Sequence, residues 1–303
     1  MGTAFKPGAA VLVTGCSSGM GKATALRLHR HGWQVYATSR NLESMAEIAE
    51  MKVRTRFLDL RDTGSMSEVV DEIVASHGAV SALVNNAGYS LNGTVENTPV
   101  AAARNQFEAN LFGPAELIRL VLPGMRKQGA GRIINISSFF GRFGTAGRGY
   151  YQASKHGMEA LSDALRSEVT GLGVRVVVIQ PGPTFSNFFD TSDATLNPAA
   201  SSGDYADFWR HFHEWHEPYR HPERPRGRGR FTLSPEDVAR AVERALTARN
   251  PAPRYQVGTL AHLLLLLHRT LPGRAFDMFS HAVFPAPGRP SAAHPRHIIL
   301  RKE

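Results

Sequence analysis

Over the first 180 residues, short β-branched apolar runs alternate with longer stretches in which apolar residues recur every three or four positions. Two periods, near 2 and near 3.6, read as strands and amphipathic helices respectively. Apolar runs at 9–14, 33–38, 53–60, 80–85, 133–137 and 174–180 predict strands, and stretches such as 19–31, 42–50 and 65–77 predict helices between them. Regular strand–helix alternation implies parallel β-α-β units with right-handed crossovers. The expected fold class is therefore α/β, a doubly wound parallel sheet in one Rossmann-like domain. No short-period repeat is present.

Beyond residue 181 the pattern loosens. Positions 183–233 are rich in Pro, Gly, Asp, His and aromatics without a steady period, and read as a substrate flap. Ser234-Pro235-Glu236-Asp237 then has the chemistry of a helix start: a side-chain N-cap, proline in the first turn, acids at the positive end. That helix is expected to run to about residue 249, with a last strand at 254–257. Residues 259–284 read as an apolar helix pair broken at Pro272-Gly273, and the stretch after Pro285 as a frayed tail. The expected division is a catalytic domain over 1–258, containing the flap, followed by a C-terminal helical extension and tail over 259–303.

Composition narrows the class. Of 303 residues 42% are apolar and 20% charged, too apolar for a disordered chain. A single cysteine, Cys16, cannot form an internal disulfide, which points to a reducing compartment. The N-terminus lacks the basic and apolar regions of a signal peptide, and Lys6 stands where a myristoylation pattern wants Ser or Thr. The leucine run at 263–267 is far short of the ~20 residues that span a bilayer. The expectation is a soluble cytoplasmic protein. The formal net charge is +9, but Arg224, Arg226, Arg228 and Arg230 sit among Pro and Gly. Such spacing reads as a solvated loop rather than a nucleic-acid surface.

Chemistry concentrates at the predicted carboxyl ends of the strands. After the first run stands Thr14-Gly15-Cys16-Ser17-Ser18-Gly19-Met20-Gly21. Three glycines let a backbone turn sharply and approach a pyrophosphate, while the helix that follows aims N–H groups and a positive dipole end at the anion. At the end of the second run the residues are Tyr36-Ala37-Thr38-Ser39-Arg40. An NAD site places an acid there for the ribose 2′-hydroxyl; here the acid is missing and an arginine suited to a 2′-phosphate is present. The expected cofactor is NADP(H) in preference to NAD(H). Lys22, inside the helix start, is a second candidate cation.

Tyr151 and Lys155 lie four residues apart, one helical turn, and so share a face. A phenol with a reference pKa of about 10 is a poor base until a fixed positive charge favours its ionised form. Ser138 ends the strand before this helix; Asn85-Asn86-Ala87-Gly88 ends another; Asn110 falls in the helical stretch after it; Pro181-Gly182 closes the sixth, with Thr184 and Ser186 beyond. All lie where open α/β sheets bind ligands.

In this order, T-G-x-x-x-G-x-G, Asp59-Leu60, N-N-A-G, Asn110, Ser138, Y-x-x-x-K and P-G make the chain similar to the short-chain dehydrogenases/reductases, from residue 9 to about 190. The segments 35–42 and 58–62 resemble the 17β-hydroxysteroid and retinol dehydrogenase branch. The resemblance implies that Ser138 hydrogen-bonds the substrate oxygen and Tyr151 gives or takes its proton. It further implies that Lys155 lowers the tyrosine pKa and holds the nicotinamide ribose, while Asn110 anchors a water relay. Asp59 would contact adenine; Asn86, Ala87 and Gly88 would support the cofactor; a homodimer or homotetramer would be the assembly. The tail beyond 190 matches no family pattern, so substrate identity does not carry over.

Other features weigh less. His211-Phe212-His213-Glu214-Trp215-His216-Glu217 contains metal-ligating types but no H-E-x-x-H spacing, so no metal is expected. Tyr205, Phe208, Trp209, Phe212, Trp215 and Tyr219 suit a hydrophobic lid or ordinary helix packing. The run at 263–267 with Phe276, Met278, Phe279 and Phe284 suits a peripheral membrane contact, an oligomer patch or a cap on the substrate site. Cys16 reads as a small residue packed beside the cofactor. The expected function is an NADP(H)-dependent oxidoreductase of small apolar alcohols and ketones, steroid- or retinoid-like. The contender is a non-catalytic dinucleotide-binding sensor or partner-binding protein; sugar-nucleotide epimerases share Y-x-x-x-K but need a longer substrate domain. Tyr151→Phe is expected to bind cofactor normally and lose turnover, measured by cofactor titration beside initial rates; a near-wild-type rate overturns the role given to Tyr151.

Overall fold

The computed structural model describes residues 5–185, 188–196, 203–220 and 227–288. Ser186, Arg224, Arg226 and the tail from 289 lie outside the described residues, as does the side chain of Arg228. Seven strands form one parallel sheet: β1 (Ala10–Thr14), β2 (Gln34–Ser39), β3 (Arg54–Phe57), β4 (Ala82–Asn85), β5 (Gly131–Ile136), β6 (Val174–Pro181) and β7 (Arg254–Val257). Their spatial order is β3-β2-β1-β4-β5-β6-β7. The central strands are buried on both faces and therefore read as continuous apolar runs rather than alternating ones.

Helices cover both faces. On one side α1 (Gly19–Arg30), α2 (Ala46–Glu50) and α9 (Pro235–Thr247) bury Leu28, Ile48 and Val242 against Val11, Ile134 and Val177. On the other, α3 (Thr63–His77), α5 (Gly113–Lys127) and α6 (Gly149–Val169) bury Val70, Leu117 and Leu165 against Leu12, Leu83 and Val176. Alternate residues of each strand thus feed opposite cores, as a two-residue period requires. Between α4 (Val100–Phe107) and α5 the chain makes a π-helical turn, Glu108–Phe112, which carries Asn110. Single π turns of this kind redirect one side chain within an otherwise regular helix.

The flap contains α7 (Phe188–Asp193) and α8 (Ala206–His216); α10 (Thr259–Thr270) and α11 (Gly273–Val283) follow β7. The start of α9 has the capping box its sequence predicts: Asp237 N–H donates to Ser234 Oγ at 3.3 Å, and Ser234 N–H donates back to the Asp237 carboxylate at 2.8 Å. Two expected elements are shorter. The strand predicted over 53–60 stops at Phe57, because β3 is an edge strand paired only with β2 and the chain then turns toward the ligand crevice. The helix expected to reach 249 ends at Thr247, where Ala248 adopts an extended conformation. Among the described residues no helix is long and apolar enough to cross a membrane.

At the α6–β7 contact, Glu159 is 3% exposed yet carries a charge-type side chain. Its oxygens accept from Arg254 Nε at 2.9 Å and Gln180 Nε2 at 2.8 Å. Removing one partner of such a pair leaves a buried carboxylate without its counter-charge. Arg254→Met is expected to cost about 3 kcal/mol, read as a lower Tm and denaturation midpoint; an unchanged midpoint would show that Glu159 is satisfied without the arginine.

Candidate active site

The strand order reverses between β1 and β4, so their carboxyl ends diverge into a crevice. Its floor is tied by side chains of those two ends. Thr14 Oγ1 accepts the N–H groups of Asn86 and Ala87, each at 3.0 Å, and Asn86 Nδ2 donates to the carbonyls of Thr14 at 2.9 Å and Gly15 at 3.1 Å. Asn86 is thus a strap for the glycine turn. Gly15 has φ +71° and a Cβ there would fall 2.7 Å from Ala87 Cα; one on Gly21 would fall 2.1 Å from Gly15 O. Ser18, the N-cap of α1, is extended and makes no side-chain cap, leaving first-turn N–H groups available to an anion.

A groove of about 680 Å³ runs along this floor. Gly15, Ser17, Ser18, Gly19 and Met20 line it, as do Arg40, Asp59, Leu60, Asn86, Ala87 and Gly88. Gly21 stands behind the turn. The tight glycine contacts, open N–H groups and groove volume fit a dinucleotide. At the far end, Arg61 Nη2 and Nε reach the Asp59 carboxylate at 3.0 and 3.3 Å and hold it below the ordinary carboxylate range. Arg40 is exposed at the same end. With Asp59 paired to Arg61, these three residues leave one net positive charge. The motif reading missed Arg61; its place directly after Asp59-Leu60 was the available signal. Lys22 is diverted to an ion pair with Glu47 at 2.5 Å.

Met20 also lines a second, smaller cavity of about 80 Å³, together with Ser138, Arg148, Tyr151, Pro181, Gly182, Thr184, Trp215, His216 and Tyr219. Here Tyr151 is 6% exposed and its phenol shares a hydrogen bond with the Ser138 side chain. Ser138 Oγ also accepts Phe140 N–H at 3.2 Å, which orients it. Burial pushes the Tyr151 phenol above its ordinary pKa, opposed by the Ser138 bond and by the Arg148 charge. Lys155, by contrast, donates to Ile136 O at 2.8 Å, with Nζ 5.9 Å from the Tyr151 ring centroid. Arg148, which sequence reasoning missed, is buried on the same cavity wall. Nothing in a Gly-Arg-Gly segment marks its side chain as buried.

Asn110 lines neither cavity. Its Nδ2 donates to Tyr89 O at 3.0 Å and Ser154 Oγ at 3.2 Å, while Oδ1 accepts Tyr89 N–H at 3.2 Å. Gly88 is where it nears the groove: a Cβ on that glycine would lie 2.9 Å from Asn110 Oδ1 and 3.8 Å from Lys155 Nζ. Thr184 Oγ1 donates to Gly182 O at 3.0 Å, fixing the loop after β6.

The cavity walls are aromatic. Phe139 and Phe140 stack at 4.1 Å, and Trp215 and Tyr219 close the flap side. Of the six flap aromatics, only these two line the cavity. Phe208, Trp209 and Phe212 form their own cluster, and the Tyr205 hydroxyl donates to Glu96 at the surface. Trp215 Nε1 donates to Val283 O at 2.8 Å, joining flap to α11. Leu264, Leu265, Phe276 and Phe284 back the same wall, whereas Leu263, Leu266 and Met278 remain exposed. Burial holds the His216 imidazole well below its usual pKa. Cys16 is fully buried, its thiol donates to Val13 O at 3.2 Å, and burial pushes it up to about 12, which makes it a packing residue.

The sequence profile described as short chain dehydrogenase matches residues 9–197. An uncharacterized oxidoreductase, YbbO of Escherichia coli (strain K12), is 35% identical over 268 residues, 88% of this chain and 92% of that protein. A 3-ketodihydrosphingosine reductase of Bacteroides thetaiotaomicron is 34% identical over 255 residues, 84% and 89% of the two chains. Among solved structures, a short-chain dehydrogenase from Streptomyces avermitilis superposes with a TM-score of 0.70 at 32% identity, covering 86% of this chain and 93% of that one.

Burial lowers Lys155 from 10.5 to about 8, with Glu159 opposing. The unfolded chain therefore holds the Lys155 proton up to about pH 10.5, the folded one only to about 8. Folding becomes more favourable as pH rises through that window and loses the gain as pH falls through 8. Relative to Lys155→Met, the wild type is expected to gain up to about 3 kcal/mol across it. Denaturant melts at stepped pH check this; a flat difference contradicts a depressed lysine.

Proposed function

Because the chain belongs to the short-chain dehydrogenase family, we propose that it is an NADP(H)-dependent oxidoreductase interconverting an apolar secondary alcohol and its ketone, or a primary alcohol and its aldehyde. The observation that carries this is the Tyr151 phenol, hydrogen-bonded to Ser138 in an aromatic cavity that meets the dinucleotide groove at Met20. The nicotinamide, when bound, supplies or accepts the hydride.

The chain's own residues do the rest. Glycine-turn N–H groups hold the pyrophosphate, and Arg40 holds a 2′-phosphate at the end where Arg61 has already neutralised Asp59. In the reducing direction Ser138 donates a hydrogen bond to the substrate oxygen, and Tyr151 gives that oxygen its proton as negative charge develops there. In the oxidising direction Tyr151 takes the proton back. Lys155 and Asn110, close to the groove at Gly88, take the ribose and proton-relay roles of the family pattern. The aromatic wall excludes water and favours an apolar body on the substrate. A relative whose name specifies a ketone on a long-chain base agrees with that polarity. At about 80 Å³ the cavity is below the several hundred Å³ typical of ligand sites, so a large substrate requires the flap side, Trp215 and Tyr219, to shift.

The test is a panel of apolar ketones and aldehydes with NADPH and NADH side by side, followed at the nicotinamide absorbance band. Consumption is expected with long-chain or polycyclic carbonyls, faster with NADPH. Arg40→Glu is expected to raise the NADPH KM at least about tenfold while leaving the NADH KM little changed. Tight cofactor binding without consumption of any substrate overturns the reading in favour of a binding protein.

A further inference from the structure

The helix pair α10–α11 has two faces of opposite character. Inward, Ala261, Leu264, Leu265 and Phe276 pack with Phe140, Trp215 and Phe284, the wall behind the small cavity. A ring contact at 4.8 Å between His268 and Phe276 ties the two helices together, and the Trp215–Val283 hydrogen bond ties them to the flap. Outward, Leu263 is 51% exposed, Leu266 57% and Met278 74%. These positions are not scattered. With about 3.6 residues per turn, Leu263 and Leu266 fall on the side of α10 away from Ala261 and Leu265, and Met278 on the side of α11 away from Phe276 and Ser280. The rim of this face is basic. Arg269 near the end of α10 and Arg274 near the start of α11 are both exposed, and Asp277 is the one acid on the two helices. From residue 259 to the C-terminus the sequence carries six Lys+Arg against two acids, Asp277 and Glu303.

We propose that the outward face of α10–α11 docks on an anionic lipid surface, with Leu263, Leu266 and Met278 entering the acyl boundary and Arg269 and Arg274 meeting lipid phosphates. Apolar side chains rimmed by cations are the pattern that binds such a surface, since burial of the first and attraction of the second act together. The helices have 12 and 11 residues, against the ~20 that cross a bilayer, so the pair lies in the interface plane. A second copy of the chain suits this face less well. Three exposed apolar side chains fall far short of the roughly 20 residues a side of a stable interface. A two-fold contact would also set the patch against itself and bring Arg269 and Arg274 toward their own copies. Because the inward face of the same helices backs the small cavity, docking sets that wall at the membrane, where apolar carbonyl compounds concentrate.

The test is flotation of the full chain with vesicles of phosphatidylcholine alone and of phosphatidylcholine mixed with phosphatidylglycerol. The wild type is expected to float with the mixed vesicles, far less with the neutral ones, and to come off as salt is raised. The double variant Leu263→Glu/Leu266→Glu should lose at least about tenfold in partitioning, because two buried leucines become two charges facing anionic lipid. Arg269→Glu/Arg274→Glu should lose at least about tenfold on the mixed vesicles. Leu172→Glu, at an apolar position 43% exposed elsewhere on the surface, should float like the wild type. A wild type that ignores the mixed vesicles, or binds both kinds equally, overturns the proposal. So does either double variant floating like the wild type; should the leucine variant not fold, the arginine variant and Met278→Glu decide the matter. A lipid-free oligomer that Leu263→Glu/Leu266→Glu dissociates, seen by sedimentation velocity, would give the face to a second copy and overturn the proposal as well. No turnover is read, so a failure to float counts against this inference alone, and inactivity on every carbonyl counts only against the catalytic reading.

Discussion

Burial disfavours the ionised form of a phenol, so a buried tyrosine such as Tyr151 rises in pKa unless nearby groups oppose it. The region around Tyr151 is organised by this conflict. A hydroxyl from the end of β5 and a guanidinium from the N-cap of α6 both favour the ionised form, while the aromatic wall keeps competing water away. Each compensating group has its own support. Phe140 N–H orients Ser138, and Asn92 and Phe212 hold Arg148. Polar groups in a low-dielectric site act strongly when they are satisfied and destabilise strongly when they are not.

The same logic sets the dinucleotide groove. Its turn can be tight because Gly15 and Gly21 leave no side chain in the way, and it stays tight because Asn86 straps both of its carbonyls. At the far end of the groove the charges of Asp59 and Arg61 cancel, which leaves the exposed Arg40 as a net positive charge there. Between groove and cavity lies Met20, an adaptable side chain touching both.

The flap and the C-terminal helices form one packed wall rather than two appendages. The Trp215–Val283 hydrogen bond and the cluster of Phe140, Phe143, Trp215, Leu264 and Phe284 join them. Enlarging the small cavity therefore means moving packed aromatics. Outside that wall, Leu263, Leu266 and Met278 stay exposed on the extension.

What could be read without coordinates was whatever depends on local periodicity and on residue types with few conformational uses. The parallel sheet follows from apolar runs buried on both faces, the α9 start from Ser234 and Asp237, and the phosphate turn from glycines that alone permit it. Tyr151 and Ser138 meet because helix spacing and a strand end put them at one rim. Pairing across long sequence separations was not legible. That Lys22 is spent on Glu47, that Arg61 neutralises Asp59, that Phe208, Trp209 and Phe212 gather in a cluster of their own, and that the Arg148 guanidinium is buried beside Phe212 were decided by tertiary structure. The reason is physical: a charged side chain's partner and burial are set by whichever elements the fold brings beside it, and neither is encoded in the spacing of its own segment.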